Sequence, residues 1–210
     1  MKVLDSRFLS YVFAILIILI LVFYGCSDSP TDNNNPPTEN EELNFKIGQM
    51  IILGFNGTEI TDTSHIYDDI VERHIGGVVL YAKNIESPSQ LKNLDSTLQS
   101  LDTTHLFIAV DQEGGYVSRL TEAKGFSPSV TAQHLGEINN PDTTRYWAGL
   151  CATDLNNADI NINFAPVVDL NINPNSPAIG YWERSFSDNP DTVVENALIF
   201  IEEHHAQDIY

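Results

Sequence analysis

The chain has 210 residues, with 10 Lys and Arg against 29 Asp and Glu, a formal net charge of −19 and 42 % hydrophobic residues. Ten scattered basic residues supply no basic face to replace phosphate counterions, so nucleic acid is not an expected partner. Two cysteines, Cys26 and Cys151, build neither a disulfide framework nor a four-cysteine metal site, which leaves an ordinary hydrophobic core as the source of stability.

Lys2 and Arg7 precede an apolar run from Phe8 to Phe23, interrupted by Ser10 and Tyr11, that reads as the n-region and h-region of an export signal. The run meets Gly25-Cys26, which resembles the lipobox of bacterial lipoproteins, where cleavage leaves the cysteine as a lipidated N-terminus. Phe23 and bulky Tyr24 depart from that pattern. The alternative is an uncleaved anchor helix, because a run of this length is marginally enough to span a bilayer. Either reading tethers the rest of the chain to a membrane outside the cytoplasm, in a bacterial cell envelope. Residues 26–42, SDSPTDNNNPPTENEE after Cys26, carry no aliphatic or aromatic side chain and read as a disordered, lipid-anchored spacer.

From Leu43 onward short apolar runs alternate with segments of helical period. Met50 to Phe55, Gly77 to Tyr81, Leu106 to Val110 and Ile162 to Val168 are nearly continuous in apolar residues, which predicts strands buried on both faces. Ser87-Pro88, Asn140-Pro141 and Asn189-Pro190 each set a capping side chain before a proline at the first helical position. Leu91, Leu94, Leu98 and Leu101 recur at helical spacing, as do Val193, Ala197, Phe200 and Ile201. Strand, helix, strand, helix predicts a parallel α/β sheet. Gly54-Phe55-Asn56-Gly57 lacks the glycine pattern of a dinucleotide fold. Polar clusters follow the strands instead, at Lys83-Asn84, Asp111-Gln112-Glu113 and Asp169, as in a (β/α)8 TIM-type barrel with chemistry at its carboxyl strand ends. Such a barrel needs about 250 residues, so residues 43–210 are expected to hold only its first half, four or five βα units, truncated at Tyr210.

The densest candidate site is Val110-Asp111-Gln112-Glu113-Gly114-Gly115. Paired carboxylates there suit acid and base work on a glycosidic bond or a divalent cation, and an acid that merely caps a backbone turn is the bland alternative. Side chains alternate along an extended segment, so Asp111 and Gln112 cannot face one pocket. Arg119 lies eight residues past Asp111 and Arg184 lies in Glu183-Arg184-Ser185-Phe186; each is a candidate grip on a polar ligand or one half of a surface salt bridge. His65, His74, His105 and His134 have no metal-site spacing. His204-His205 are expected at the helix surface, Cys151 in the core, and Asn56-Gly57-Thr58 in a turn.

Ile47-Gly48-Gln49-Met50, Gly76-Gly77-Val78, VDQEGG with Arg119 beyond it, NFAPVVD and AIG…ERSF together resemble glycoside hydrolase family 3, in its β-N-acetylglucosaminidase (β-hexosaminidase) branch. The resemblance covers Leu43 to Tyr210 in motif order. It implies a (β/α)8-type domain and a retaining double displacement that hydrolyses terminal non-reducing β-linked N-acetylglucosamine, from peptidoglycan or chitin-derived sugars, with no metal or cofactor. Carried onto this sequence, it makes Asp111, Arg119 and Arg184 sugar binders of the carbohydrate partner and assigns no catalytic residue within the chain. Glu113 and Asp169 receive structural roles. The family's KHFPGHG motif, its acid/base loop and its later nucleophile do not occur in this sequence, which leaves a noncatalytic sugar-binding remnant as one alternative and another family glycosidase, such as a β-glucosidase, as a second. Tyr116 replaces a common Arg, and Tyr181-Trp182 resembles an insertion; both are expected to alter the leaving-group side of the pocket.

Overall fold

The computed structural model describes residues 38–210. The expected signal segment, Cys26 and most of the expected spacer lie outside the described residues. The described chain opens with helix α1 (Glu39–Gln49), so Glu39 to Glu42, expected in the spacer, form its first turn instead. Acidic side chains interact favourably with the positive end of a helix, which accounts for a helical start in a segment with no apolar residue.

Four strands follow, β1 (Ile52–Gly54), β2 (Gly77–Leu80), β3 (Phe107–Val110) and β4 (Ile162–Asn163), all parallel and in the order 1-2-3-4. A doubly wound sheet reverses its strand order at a switch point; this sheet does not, and its winding is that of a barrel segment. Helix α2 (His65–Val71) joins β1 to β2, α3 (Pro88–Gln99) joins β2 to β3, α4 (Ala132–Ile138) and α5 (Pro141–Asn157) lead into β4, and α6 (Pro190–His205) follows.

All three sequence-predicted caps form. Ser87 Oγ accepts from Gln90 N at 3.2 Å, Asn140 Oδ1 from Asp142 N at 2.9 Å and Asn189 Oδ1 from Asp191 N at 2.9 Å, a contribution of about 1 kcal/mol each. Leu91, Leu94 and Leu98 of α3 are buried, as are Val193, Ala197 and Phe200 of α6.

The expectation of strands buried on both faces is corrected. Val78, Leu80, Ile108 and Val110 point into a core shared with α2, α3 and α5. Ile52 and Phe107, which share one rank of the ladder with Gly77 between them, remain 37 % and 47 % exposed on the opposite face. That face is apolar and open at Ile52 and Phe107, while Ala109 on the same side is buried. The fourth strand is also shorter than its apolar run: pairing ends at Asn163, and Pro166 offers no backbone donor with which to continue.

Candidate functional site

The geometry at the carboxyl end of β3 follows from one alternation. Gln112 turns inward, 5 % exposed, and its amide accepts from Arg119 N at 2.8 Å and Leu120 N at 3.0 Å while donating to Leu120 O at 2.9 Å. Its neighbours Asp111 and Glu113 therefore face the other way, as the two-residue period requires. Asn163, at the end of β4, holds the backbone of Gln112 from both sides: its Oδ1 accepts from Gln112 N at 3.0 Å and its Nδ2 donates to Gln112 O at 3.1 Å.

After Glu113 the chain reverses tightly, with Glu113 N donating to Val117 O at 3.0 Å. Gly114 has φ +98°, and a Cβ there would lie 2.4 Å from Val130 O, so both conformation and space demand glycine. The reversal returns Arg119 to Asp111, where Nη2 donates to Oδ2 at 3.0 Å. Arg119 Nε is buried without a hydrogen-bond partner, an arrangement that costs free energy unless a ligand or water supplies the acceptor.

Arg184 reaches the same place from the other side. It makes a two-point contact with Glu113, Nε to Oε2 at 2.8 Å and Nη2 to Oε1 at 2.7 Å, and Nη1 donates to Ala178 O at 2.9 Å. The hydrogen-bonded Glu113 carboxylate holds the Arg184 guanidinium above its ordinary pKa, with Asp111 and Asp169 adding to the effect. A guanidinium has five N–H donors, so Arg184 retains donors for a ligand after these bonds. Its neighbours in the ERSF segment fix its place. Glu183 Oε2 accepts from Thr131, the cap residue of α4; Ser185 Oγ donates to Asp169 O; and Phe186 is buried against Leu135, Val193 and Ala197.

Asp111, Glu113, Arg119 and Arg184 line one open pocket of about 330 Å³ with Tyr116, Val117 and Trp182. Three of the four are the residues expected from the sequence to bind sugar. Glu113, expected to be structural, acts as the counter-ion of Arg184, and its side chain is only 7 % exposed. Asp169 is exposed and lies outside the pocket lining. Lys83 and Asn84 serve the fold: Lys83 donates to Asn56 Oδ1, and buried Asn84 donates to Phe55 O and Gly57 O, holding the Asn56-Gly57 turn.

One expectation fails outright. His205 is exposed as predicted, but His204 is 3 % exposed. Its Nδ1 donates to Phe200 O at 2.8 Å, which leaves Nε2 to accept from Asn163 Nδ2 at 3.0 Å. Burial lowers its pKa to about 4. The signal was in the sequence, since Val193, Ala197, Phe200 and His204 share one helical stripe. Cys151 packs against the core as expected, near Gln112 O and His204 Nε2, and burial pushes its thiol up to about 12.

A parallel sheet wound in one direction, with a polar pocket at the carboxyl end of its third strand, is the architecture of a barrel-type domain with its site at the strand ends. The chain belongs to glycosyl hydrolase family 3, whose N-terminal domain model matches residues 42–210. It is 36 % identical over 153 residues to a beta-hexosaminidase of Nitrosomonas eutropha, covering 70 % of this chain and 42 % of that protein. It is also 36 % identical over 138 residues to beta-hexosaminidase A of Pseudoalteromonas piscicida, covering 62 % of this chain and 23 % of that one. The chain thus spans less than half the length of these relatives. Among solved structures it resembles a family 3 beta-N-acetylglucosaminidase from Paenibacillus, with TM-score 0.72, 32 % identity, and coverage of 80 % of this chain and 31 % of that one. It also resembles NagZ of Neisseria gonorrhoeae in complex with N-trifluoroacetyl-D-glucosamine, with TM-score 0.68, 29 % identity, and coverage of 75 % and 46 %.

Proposed function

We propose that this chain forms the sugar-holding half of the catalytic barrel of a retaining β-N-acetylglucosaminidase, acting on terminal β-linked N-acetylglucosamine of peptidoglycan or chitin-derived oligosaccharides. The observation that carries the reading is the convergence of Asp111, Arg119 and Arg184 on one open pocket. Asp111 Oδ2 is held by Arg119, and sugar hydroxyls donate to the carboxylate while the two guanidinium groups donate to sugar oxygens. Hydrogen bonds of this charge-assisted kind contribute about 1.5–3 kcal/mol each.

The pocket binds; it does not cut. A retaining glycosidase needs two carboxyl groups about 5–5.5 Å apart, one to attack the anomeric carbon and one to protonate the leaving oxygen. Both carboxylates lining this pocket are engaged by arginine, Asp111 by Arg119 and Glu113 by Arg184, and we assign them to holding the sugar and the arginines rather than to attack or protonation. The nucleophile and the acid/base come from the remaining half of the barrel, which also covers the exposed apolar face around Ile52 and Phe107.

The expected destination of the protein is the bacterial cell envelope, with lipid on Cys26. The pattern of residues 2–26 supports this, and Cys26→Ala should move the protein from the membrane fraction to the soluble fraction. The activity is tested by giving the full-length protein an aryl β-N-acetylglucosaminide and an aryl β-glucoside. Turnover of the first alone supports the reading, and preference for the second moves the protein to the β-glucosidase branch.

A further inference from the structure

The two features that set this sequence apart from its family pattern, Tyr116 and the Tyr181-Trp182 pair, lie far apart in the chain but meet in space. Tyr116 and Trp182 pack edge to face with ring centroids 6.1 Å apart and an interplanar angle of 66°, and Tyr181 stands at 89° to Trp182 at 5.0 Å. The backbone places them deliberately. Tyr116 sits at the tip of the Gly114–Val117 reversal, and Trp182 ends a 3-10 turn (Gly180–Trp182) directly before Glu183 and Arg184. The rings are 62 % and 44 % exposed, and both line the pocket that holds Asp111, Arg119 and Arg184.

We infer that Tyr116 and Trp182 form a stacking wall for a second sugar ring, adjoining the ring held by Asp111, Arg119 and Arg184. This rests on the sugar-binding reading of the pocket and extends it from a monosaccharide to a β-linked disaccharide. The chemistry favours a pyranose over other occupants of an exposed aromatic cluster. A pyranose presents a face of C–H groups to an aromatic ring and a rim of hydroxyls to charged donors and acceptors, and this wall joins a pocket that supplies those polar partners. Tyrosine and tryptophan combine an apolar ring with a polar handle, which suits a ligand of mixed character. Removing about 55 Å² of C–H and ring surface from water on one aromatic side chain is worth about a factor of ten in affinity.

The test is a titration of the chain with N-acetylglucosamine and with N,N′-diacetylchitobiose, in the parent sequence and in Trp182→Ala, Trp182→Phe, Tyr116→Ala and Asp111→Ala. The expected result is a preference for the disaccharide that falls about tenfold in Trp182→Ala and in Tyr116→Ala and is retained in Trp182→Phe, with monosaccharide affinity unchanged in all three. A disaccharide preference unaffected by both alanine variants overturns the stacking wall and leaves the first-ring site standing. Failure of the parent chain to bind either sugar, or monosaccharide binding that survives Asp111→Ala, overturns the underlying sugar site. Circular dichroism of each variant separates a lost ring from a lost fold.

Discussion

At the scale of single residues, the pocket is organised by pairing each carboxylate with one guanidinium. Glu113 sits beneath Arg184 at 2.7 and 2.8 Å and is nearly buried, so its role is to aim a cation. Glu113→Gln keeps one acceptor and removes the charge. Sugar affinity should then fall by about 1–3 kcal/mol although Glu113 itself is largely out of reach of the ligand, a result that calorimetric titration would read. Wild-type affinity in that variant would show that Arg184 needs no counter-ion to hold its position. Residue type and nearness to strand ends mark Asp111, Arg119 and Arg184 as candidates in the sequence, and the family resemblance alone gives them a sugar-binding role. Sequence reasoning could not assign Glu113, because the partner that gives it meaning lies 71 residues away.

At the scale of elements, two buried titratable groups give opposite pH signatures. Asp95 on α3 is fully buried, neither of its oxygens has a hydrogen-bond partner, and burial, with Asp159 nearby, raises its pKa to about 8. The folded state therefore holds a proton that the unfolded chain releases near pH 4, so stability falls as pH rises from about 4 to about 8. Asp95→Asn should remove that slope and stabilise the chain at pH 9 by a few kcal/mol, on the order of 2–4, measurable by urea unfolding at pH 5 and pH 9. His204 on α6 behaves in the reverse sense. Its folded pKa lies below the unfolded value, so its contribution is complete above about pH 6.5 and is lost as pH falls toward 4. His204→Leu should cost about 1–3 kcal/mol at neutral pH by leaving Asn163 Nδ2 short of an acceptor, and should flatten the acid slope; an unchanged acid slope would place that slope elsewhere. The helix caps were legible in advance because a cap is a short-range device. The early end of β4 was legible only in part: Pro166 marks it in the sequence, whereas the capture of the Gln112 backbone by the Asn163 side chain is tertiary.

At the scale of the whole molecule, the alternation of elements and the polar residues at strand ends announced the barrel winding, and the sheet order 1-2-3-4 follows it. The apolar runs could not disclose which strand face is covered, since coverage of the inner face depends on strands contributed elsewhere in a barrel. Here one face packs on helices while Ile52, Phe107 and Phe164 stay open. An uncovered apolar surface of this kind should bind a hydrophobic dye such as ANS strongly, and Phe107→Ser should lower that fluorescence. Equal dye binding by the parent and the variant would show that the dye does not read this face.

Asp111, Arg119 and Arg184 are proposed to hold one sugar together, and a crystal structure of the protein with N-acetylglucosamine is the deciding experiment. The expected result is a ring in this pocket with hydroxyls on Asp111 and a sugar oxygen within hydrogen-bond distance of an Arg119 guanidinium N–H. A sugar bound elsewhere, or one that leaves Arg119 and Asp111 untouched, would contradict it.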